Sequence, residues 1–564
     1  MSAQESVTES GSSEAPSSIR PRPFASRPGW RRGAHIAFIL ILLAAAISQV
    51  VIWGFWDPAF GDSLKYLITY SMGLLIVVLS VLWWFLFAPL EWVPVLAVGV
   101  PVVMVLLGLA GSVRRVDWSG DMRARVEFRW QPRKVDILQA HRQQQSVSPE
   151  AVEAPPVIQP EDMPGYRGAA RDGVVVGPAL SQDWNAHPPR ELWRQPVGGG
   201  YSQFAVVGTL LVTIEQRGSN EAIACYDATT GAERWVHEYP ADFQEAMGGP
   251  GPRSTPTIDG DAVFSVGALG DVYCLDLLKG TPRWHLNLLQ EYHLPNNQWA
   301  MSSSPLVLGS KVILNPGGEH GGGLIAVHRD TGAEIWEGEG LPQDAASKPK
   351  ENRPGYSSPV LVTIHGQEQL LHFDGAGLRS YDADTGEQFW FFPFENDAAV
   401  NVAQPILFED GRIFISASYN KGSAMLQISH VDGAWSATEL WSNIKLRCKF
   451  TSPMLHDGYL YGLDEGIMVC LDPATGDRIW KGGRTGLRGR YGHGQILDTN
   501  GQLLILAETG ELVLVDPAPD ELREVTSLPV LHEGKTWNPP ALVRGIAYIR
   551  NANEMVAVDL RATE

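Results

Sequence analysis

The chain has 564 residues, with 44 Lys and Arg against 63 Asp and Glu, a formal charge of −19. That length exceeds one small domain, and the acidity argues against a general nucleic-acid binder, which needs basic surface for phosphates. The four cysteines, at 225, 274, 448 and 470, include no C-x-x-C and no C-x-x-C-H, so a disulfide framework, a cysteine-rich zinc site and a covalent c-type haem are not expected.

The charge is unevenly spread. Residues 1–134 carry 13 basic and 9 acidic side chains, net +4, which leaves −23 for the remainder. A basic head before an acidic body suits a membrane anchor followed by a water-exposed domain. Residues 1–33 are rich in Ser, Glu and Pro and then in Arg, with too few apolar groups to bury; they are predicted to be a disordered tail. A membrane anchor is predicted over 34–113, from three uncharged apolar runs at about 34–56, 66–90 and 93–113. Each is near the roughly 20 residues that cross ~30 Å of hydrocarbon. Trp53, Trp56, Trp83, Trp84 and Trp92 lie toward the run ends, where amphipathic rings favour the interface. A cleaved signal peptide is the weaker reading of the first run, since no small-residue cleavage site is evident and two more runs follow.

Two basic clusters give opposite orientations. Arg20 to Arg32 before the first run place the N-terminus in the cytoplasm and, after three crossings, the body outside. Arg114 to Lys134 after the third run pull the other way. The first run more often sets orientation, so the expected location is the cytoplasmic membrane with the body on the extracytoplasmic side. Residues 114–189 are read as linker and lead-in, the Gln-, Glu- and Pro-rich stretch 135–164 lacking clear apolar periodicity.

From residue 190 the chain repeats. CYDATTGAERW (225–235), CLDLLKGTPRW (274–284), VHRDTGAEIW (327–336), YDADTGEQFW (381–390) and CLDPATGDRIW (470–480) share the pattern Asp-x-x-Thr-Gly-x-x-x-Trp after an apolar strand, with His328 standing for Asp and Lys279 for Thr. Each predicts a hairpin in which Asp accepts turn amides and Gly supplies a positive φ. Weaker copies end at Trp441, run from Leu512 to Val525, and stop at Leu560; the last lacks its outer strand, which RELW (190–193) can supply. Trp193, Trp235, Trp284, Trp336, Trp390, Trp441 and Trp480 stand 39 to 54 residues apart, the period of a four-stranded propeller blade, and are predicted to dock neighbouring blades. The fold class is therefore all-β, an eight-bladed β-propeller over 190–564 preceded by about three transmembrane helices. A polar residue before Pro opens several innermost strands, as in Thr255-Pro256, Ser304-Pro305, Ser358-Pro359 and Ser452-Pro453, while Gln404-Pro405, His493-Gly494 and Pro539-Pro540 occupy the same place in others.

These residues resemble the pyrroloquinoline-quinone (PQQ) repeat family of bacterial propellers, over about 190–561. YRGAARDGVVVG (166–177) is similar to the lead-in of its membrane-anchored members. The resemblance implies the fold and two kinds of role, since the family includes quinoprotein alcohol dehydrogenases and the propeller lipoprotein of the outer-membrane barrel-assembly machine. The vicinal Cys-Cys of the dehydrogenases and the lipid-anchored Cys of the lipoprotein are both missing here.

In a propeller, the loops between second and third strands share a face with the start of the innermost strands. Candidate ligand-binding residues on that face are Arg253, Glu319, Tyr356, Lys449, Glu465, Tyr491, His493, Glu508, Trp537, Arg550 and Asn551, with Tyr356, Phe450, Tyr491 and Trp537 forming an aromatic collar. Such a set suits an anionic planar ligand; its plain structural reading is a set of loop struts. No catalytic or metal-ligating residue is assigned. The expected function is a binding or scaffold module for an envelope protein or small ligand, held to lipid by the helices. The alternative is an oxidoreductase using PQQ and calcium, with Asp464, Glu465 or Glu508 as general base.

Overall fold

The computed structural model describes residues 28–56, 62–87, 92–145, 152–318, 323–339, 355–482, 490–532 and 534–562. The expected tail over 1–33 falls mostly outside them. Two compact units are present: Met1–Pro58 with Leu64–Ser112, and Ala59–Ser63 with Val113–Glu564.

The first unit holds helices α1 (Pro28–Gly54), α2 (Ser63–Phe87) and α3 (Trp92–Ser112), close to the three predicted runs. All three are long and apolar enough to cross a membrane. Their Leu, Ile and Val side chains are widely exposed, Leu74 by 68% and Met104 by 63%, as lipid-facing surface would be.

The second unit begins with a hairpin, β1 (Val113–Trp118) and β2 (Ala124–Phe128), then α4 (Lys134–Gln144). The stretch read as linker thus contains a helix. Asp136 sits in its first turn and His141 and Arg142 in its last, which complements the helix dipole. Leu138 is buried, and Arg142 pairs with Glu233 at 3.0 Å and Glu238 at 3.1 Å. It is held mainly by polar contacts, His141 and Gln145 adding hydrogen bonds to Gln195 and Glu233, with too little apolar content for periodicity to reveal.

Eight antiparallel sheets follow, each running from an inner strand outward. Their inner strands start at Ala205, Thr257, Leu306, Val360, Ile406, Met454, Gln495 and Ala541, which we number blades 1 to 8. β3 (Val174–Val175) adds a parallel strand to the inner edge of blade 7. Blade 8 takes its outer strand from β4 (Arg190–Pro196), as RELW predicts, pairing Ala557 with Trp193. Closure removes the exposed edges that would otherwise template aggregation.

The repeat residues explain how the blades cohere. Asp227 Oδ1 accepts the amides of Thr229 and Thr230 at 2.9 and 2.8 Å; Asp382 does the same in its turn, and Asp472 accepts the Ala474 amide at 2.7 Å. Five of the seven docking Trp indoles then donate to a carbonyl of the next blade. Trp193 Nε1 donates to Ala228 O, Trp235 to Leu277 O, Trp284 to Arg329 O, Trp441 to Pro473 O and Trp480 to Ala518 O, all at 2.8–3.0 Å. The turn glycine lies on the indole: a Cβ at Gly280 would meet Trp235 Cε3 at 2.4 Å. Glycine is required twice, by φ +66° and by the ring. Trp390 departs from this pattern and donates to Gln369 Oε1 within its own blade, because blade 5 has no Asp-x-x-Thr-Gly turn to receive it.

The polar-Pro motifs form an inner relay. Gln203 N donates to Thr255 Oγ1, Thr255 N to Ser304 Oγ, Ser304 N to Ser358 Oγ and Gln404 N to Ser452 Oγ, each at 2.9–3.0 Å. Each hydroxyl satisfies a buried amide of the preceding blade, an economical use of one oxygen where an orphan donor would cost ~1–3 kcal/mol.

Candidate functional site

Two stretches ahead of the blades end inside the propeller. The first is the lead-in 163–175, whose backbone bonds to blades 1, 2 and 7 through Met163 with Val206, Ile258 N with Pro164 O, and Val174 with Asp498. Arg167 and Arg171 project into the channel, 1% and 4% exposed. Arg171 donates to the carbonyls of Ser304, Pro305 and Pro359, and Arg167 to Ile496 O at 3.2 Å and Asp172 O at 2.8 Å. Burial pushes the Arg171 guanidinium down to about 9. A Cβ at Gly173, whose φ is +82°, would strike Arg167 Nη2 at 2.3 Å, so the glycine of the lead-in motif exists to admit that arginine.

The second stretch is the tip of the β1–β2 hairpin, which fills the mouth on the opposite, inlet face. Ser119 closes the turn: its amide donates to Arg123 O at 3.0 Å, and its Oγ accepts the amides of Asp121 and Arg123 at 3.2 and 3.0 Å. Three blades hold the tip. Glu508 of blade 7 accepts Gly120 N at 2.6 Å; Lys449 before blade 6 donates to Gly120 O at 2.9 Å; Lys535 before blade 8 donates to Trp118 O at 2.7 Å. His493 Nε2 lies 3.3 Å from Asp121 Oδ1, within ion-pair reach. Burial acts to raise the Asp121 pKa, but His493 and the charges of Lys449 and Arg490 outweigh it and hold the carboxyl below its ordinary range. Burial pushes the Lys535 ammonium down to about 7.

Aromatic rings line this mouth. Trp537 packs at a tilt against Phe450 at 4.7 Å and Tyr201 at 5.1 Å, and Lys535 sits 4.0 Å over the Trp537 ring. Trp537 Nε1 and His493 N both donate to Glu508, at 3.1 Å each, which fixes its carboxylate.

The structure gathers part of the predicted set. Lys449, His493, Glu508 and Trp537 converge on the tip. Arg253 lies farther round the mouth, over Phe243 at 4.9 Å and Tyr201 at 5.5 Å. Tyr356 neighbours Arg253, its phenol pushed up to about 12 by burial. Tyr491 leaves the collar: it packs between blades 6 and 7, with its hydroxyl on Glu524 at 2.6 Å. Arg550 is fully buried between blades 8 and 1, donating to Gly198 O at 2.7 Å and Thr213 Oγ1 at 2.8 Å. Asn551 caps its own turn, accepting from Asn553 N at 2.8 Å. Glu465 bonds to Ser418, and Asp464 is buried beneath Arg447, Arg478 and Lys481. Glu319 lies outside the described residues.

The reading from residues missed the tip itself. A signal is present: RVDW (115–118) and RARVEF (123–128) alternate charged with apolar positions on either side of Ser-Gly-Asp, the pattern of a hairpin, although the same arginines also read as a membrane-orientation signal.

The residues do not fit a quinone held with calcium at this mouth. Lys449, His493, Glu508 and Lys535, the groups that would bind its charges, are engaged by the tip. The four thiols are buried apart, Cys225 pushed up to about 12 by burial. Among the described residues no group of three or more His, Cys, Asp or Glu is arranged to hold a metal ion.

A family model described as outer membrane protein assembly factor BamB matches residues 184–348 and 346–482, more than half of the chain. The chain belongs to this family of PQQ-like propellers. The serine/threonine-protein kinase AfsK of Streptomyces griseus is 28% identical over 176 residues, which is 30% of this chain and 19% of the kinase; the chain thus spans about a fifth of that relative's length. Among solved structures, BamB from Moraxella catarrhalis matches at 14% identity and TM-score 0.46, over 66% of this chain and 98% of BamB. A europium-containing methanol dehydrogenase matches at 13% identity and TM-score 0.42, over 70% of this chain and 91% of the dehydrogenase. The eight-bladed architecture itself rests on the strand order described above.

Proposed function

We propose that the protein is a membrane-anchored binding or scaffold propeller whose ligands are proteins of the cell envelope. The observation that carries this reading is the occupant of the mouth. The charged and aromatic groups expected to take a small planar anion instead grip a turn of polypeptide through its backbone, with Lys on carbonyls and Glu508 on an amide. A family model described as an assembly factor supports the same role. The Arg cluster ahead of α1 supports an extracytoplasmic propeller, because three crossings follow it.

Two measurements test this on the full chain. Photo-crosslinking residues placed singly at the mouth and around the outer blade rims, in native membranes, should capture one discrete protein from a contiguous set of positions. Titration calorimetry with PQQ and calcium in detergent should give no saturable heat. Saturable quinone binding without any position-dependent protein crosslink would overturn the proposal.

A further inference from the structure

We infer that the inlet mouth is a recognition site for a tight acidic turn with glycine at its apex, and that the Trp118–Asp121 tip is its resident, exchangeable occupant. The partner is a protein presenting such a turn on a β-hairpin. This deepens the protein-binding reading above and rests on it.

Four observations carry the inference. First, among the described residues the hairpin is a two-stranded sheet of its own and joins no blade. At the mouth its tip is held by side chains reaching its backbone, as a bound peptide would be. Second, the reading groups are built without it. Glu508 is fixed by Trp537 Nε1 and His493 N at 3.1 Å each, and neither of these bonds involves the tip. Third, the site and not the turn demands glycine. Gly120 has no left-handed φ, so its backbone would accept a side chain, yet a Cβ there would meet His493 Cδ2 at 1.9 Å. Fourth, Ser119 closes the turn with its own amide and hydroxyl, so the hairpin keeps its shape when it leaves. A partner turn must compete with an intramolecular occupant whose effective concentration is on the order of millimolar.

The test uses the full chain in detergent micelles and, as probe, a cyclised peptide of residues 115–126 whose Arg115, Arg123 and Arg125 are replaced by Gln so that trypsin does not cut it. Tryptic cleavage after Arg123 and Arg125, followed by mass spectrometry, reports release of the tip; anisotropy of labelled peptide reports occupancy of the mouth. In the unmodified protein, several millimolar peptide should raise cleavage at both bonds several-fold. Gly120→Ala in the protein should raise it at least tenfold without peptide and tighten peptide binding at least tenfold. The same peptide carrying Gly120→Ala should not bind, and Glu508→Gln in the protein should weaken binding of the original peptide.

If neither excess peptide nor Gly120→Ala changes cleavage, the tip is a fixed part of the propeller and the inference fails. If the tip is released but no peptide binds, the mouth is not a recognition site and the inference fails. Should Gly120→Ala not fold, the peptide competition in the unmodified protein decides alone. The crosslinking above judges the broader reading separately, since a partner captured only from the blade rims would leave that reading standing while this one fell.

Discussion

The lead-in and the hairpin tip both enter the propeller, yet they are secured in different ways. The lead-in pairs its backbone with blades 1, 2 and 7 and sinks two nearly fully buried guanidinium groups among carbonyl oxygens. The tip pairs with no blade and is met by side chains that already hold one another. The first belongs to the folding core; the second has the grammar of a ligand. A segment buried in a propeller is thus not one kind of object, and the partners of its backbone distinguish the kinds.

The sharpest way to break this contrast is Arg171→Ala. It strips the donor from three buried carbonyls and should cost on the order of 4 kcal/mol, read as a lower urea midpoint. A loss below ~1 kcal/mol would put the lead-in beside the tip as a removable element. Gly173→Ala should cost about 2–3 kcal/mol, since it forces Arg167 aside and strains a left-handed φ. A smaller change tests whether the inlet wall is rigid on its own. Glu221 is buried beneath Tyr239 and the Ala268 amide, and burial pushes its carboxyl up to about 7. Between about pH 4.5 and 7 the unfolded chain has released this proton while the folded chain retains it, so stability falls as pH rises through that window and stays lowered above it. Glu221→Gln should therefore be more stable than the parent by about 2 kcal/mol at pH 8 and nearly equal to it at pH 4.5, in parallel denaturation curves. The smallest expected effect is at the tip. Lys449→Ala should shift the urea midpoint by less than ~1 kcal/mol while raising tryptic cleavage after Arg123, because the exposed part of that contact contributes little to folding.

How much of this could be read from residues depends on how local the signal is. The Asp-x-x-Thr-Gly turn and its Trp lie within eleven residues, so the repeat announced the blades, their number and the closing strand at 190–196. The same text could not show that Gly280 rests on Trp235 of the preceding blade, or that Ser304 serves Thr255, because those contacts join residues some 45–50 positions apart. At the mouth, alignment of the repeats put Lys449, His493 and Trp537 at the entries of inner strands and Glu508 in a second-to-third strand loop, and the structure gathers these four around the tip. Alignment erred on Tyr491, where side-chain direction and not position decides, and it passed over the tip, which lies outside the repeat.

Closure of blade 8 has a consequence for the order in which the chain is made. Arg194 and Glu554, which meet across that sheet, are 360 residues apart. On the ribosome β4 emerges among the first pieces of the propeller and its partner strand among the last. Throughout synthesis of seven blades, therefore, this one strand waits without its mate, and the ring is locked only when translation reaches the 550s. Quality control that samples the nascent chain would meet this unpaired strand as the persistent mark of an unfinished molecule.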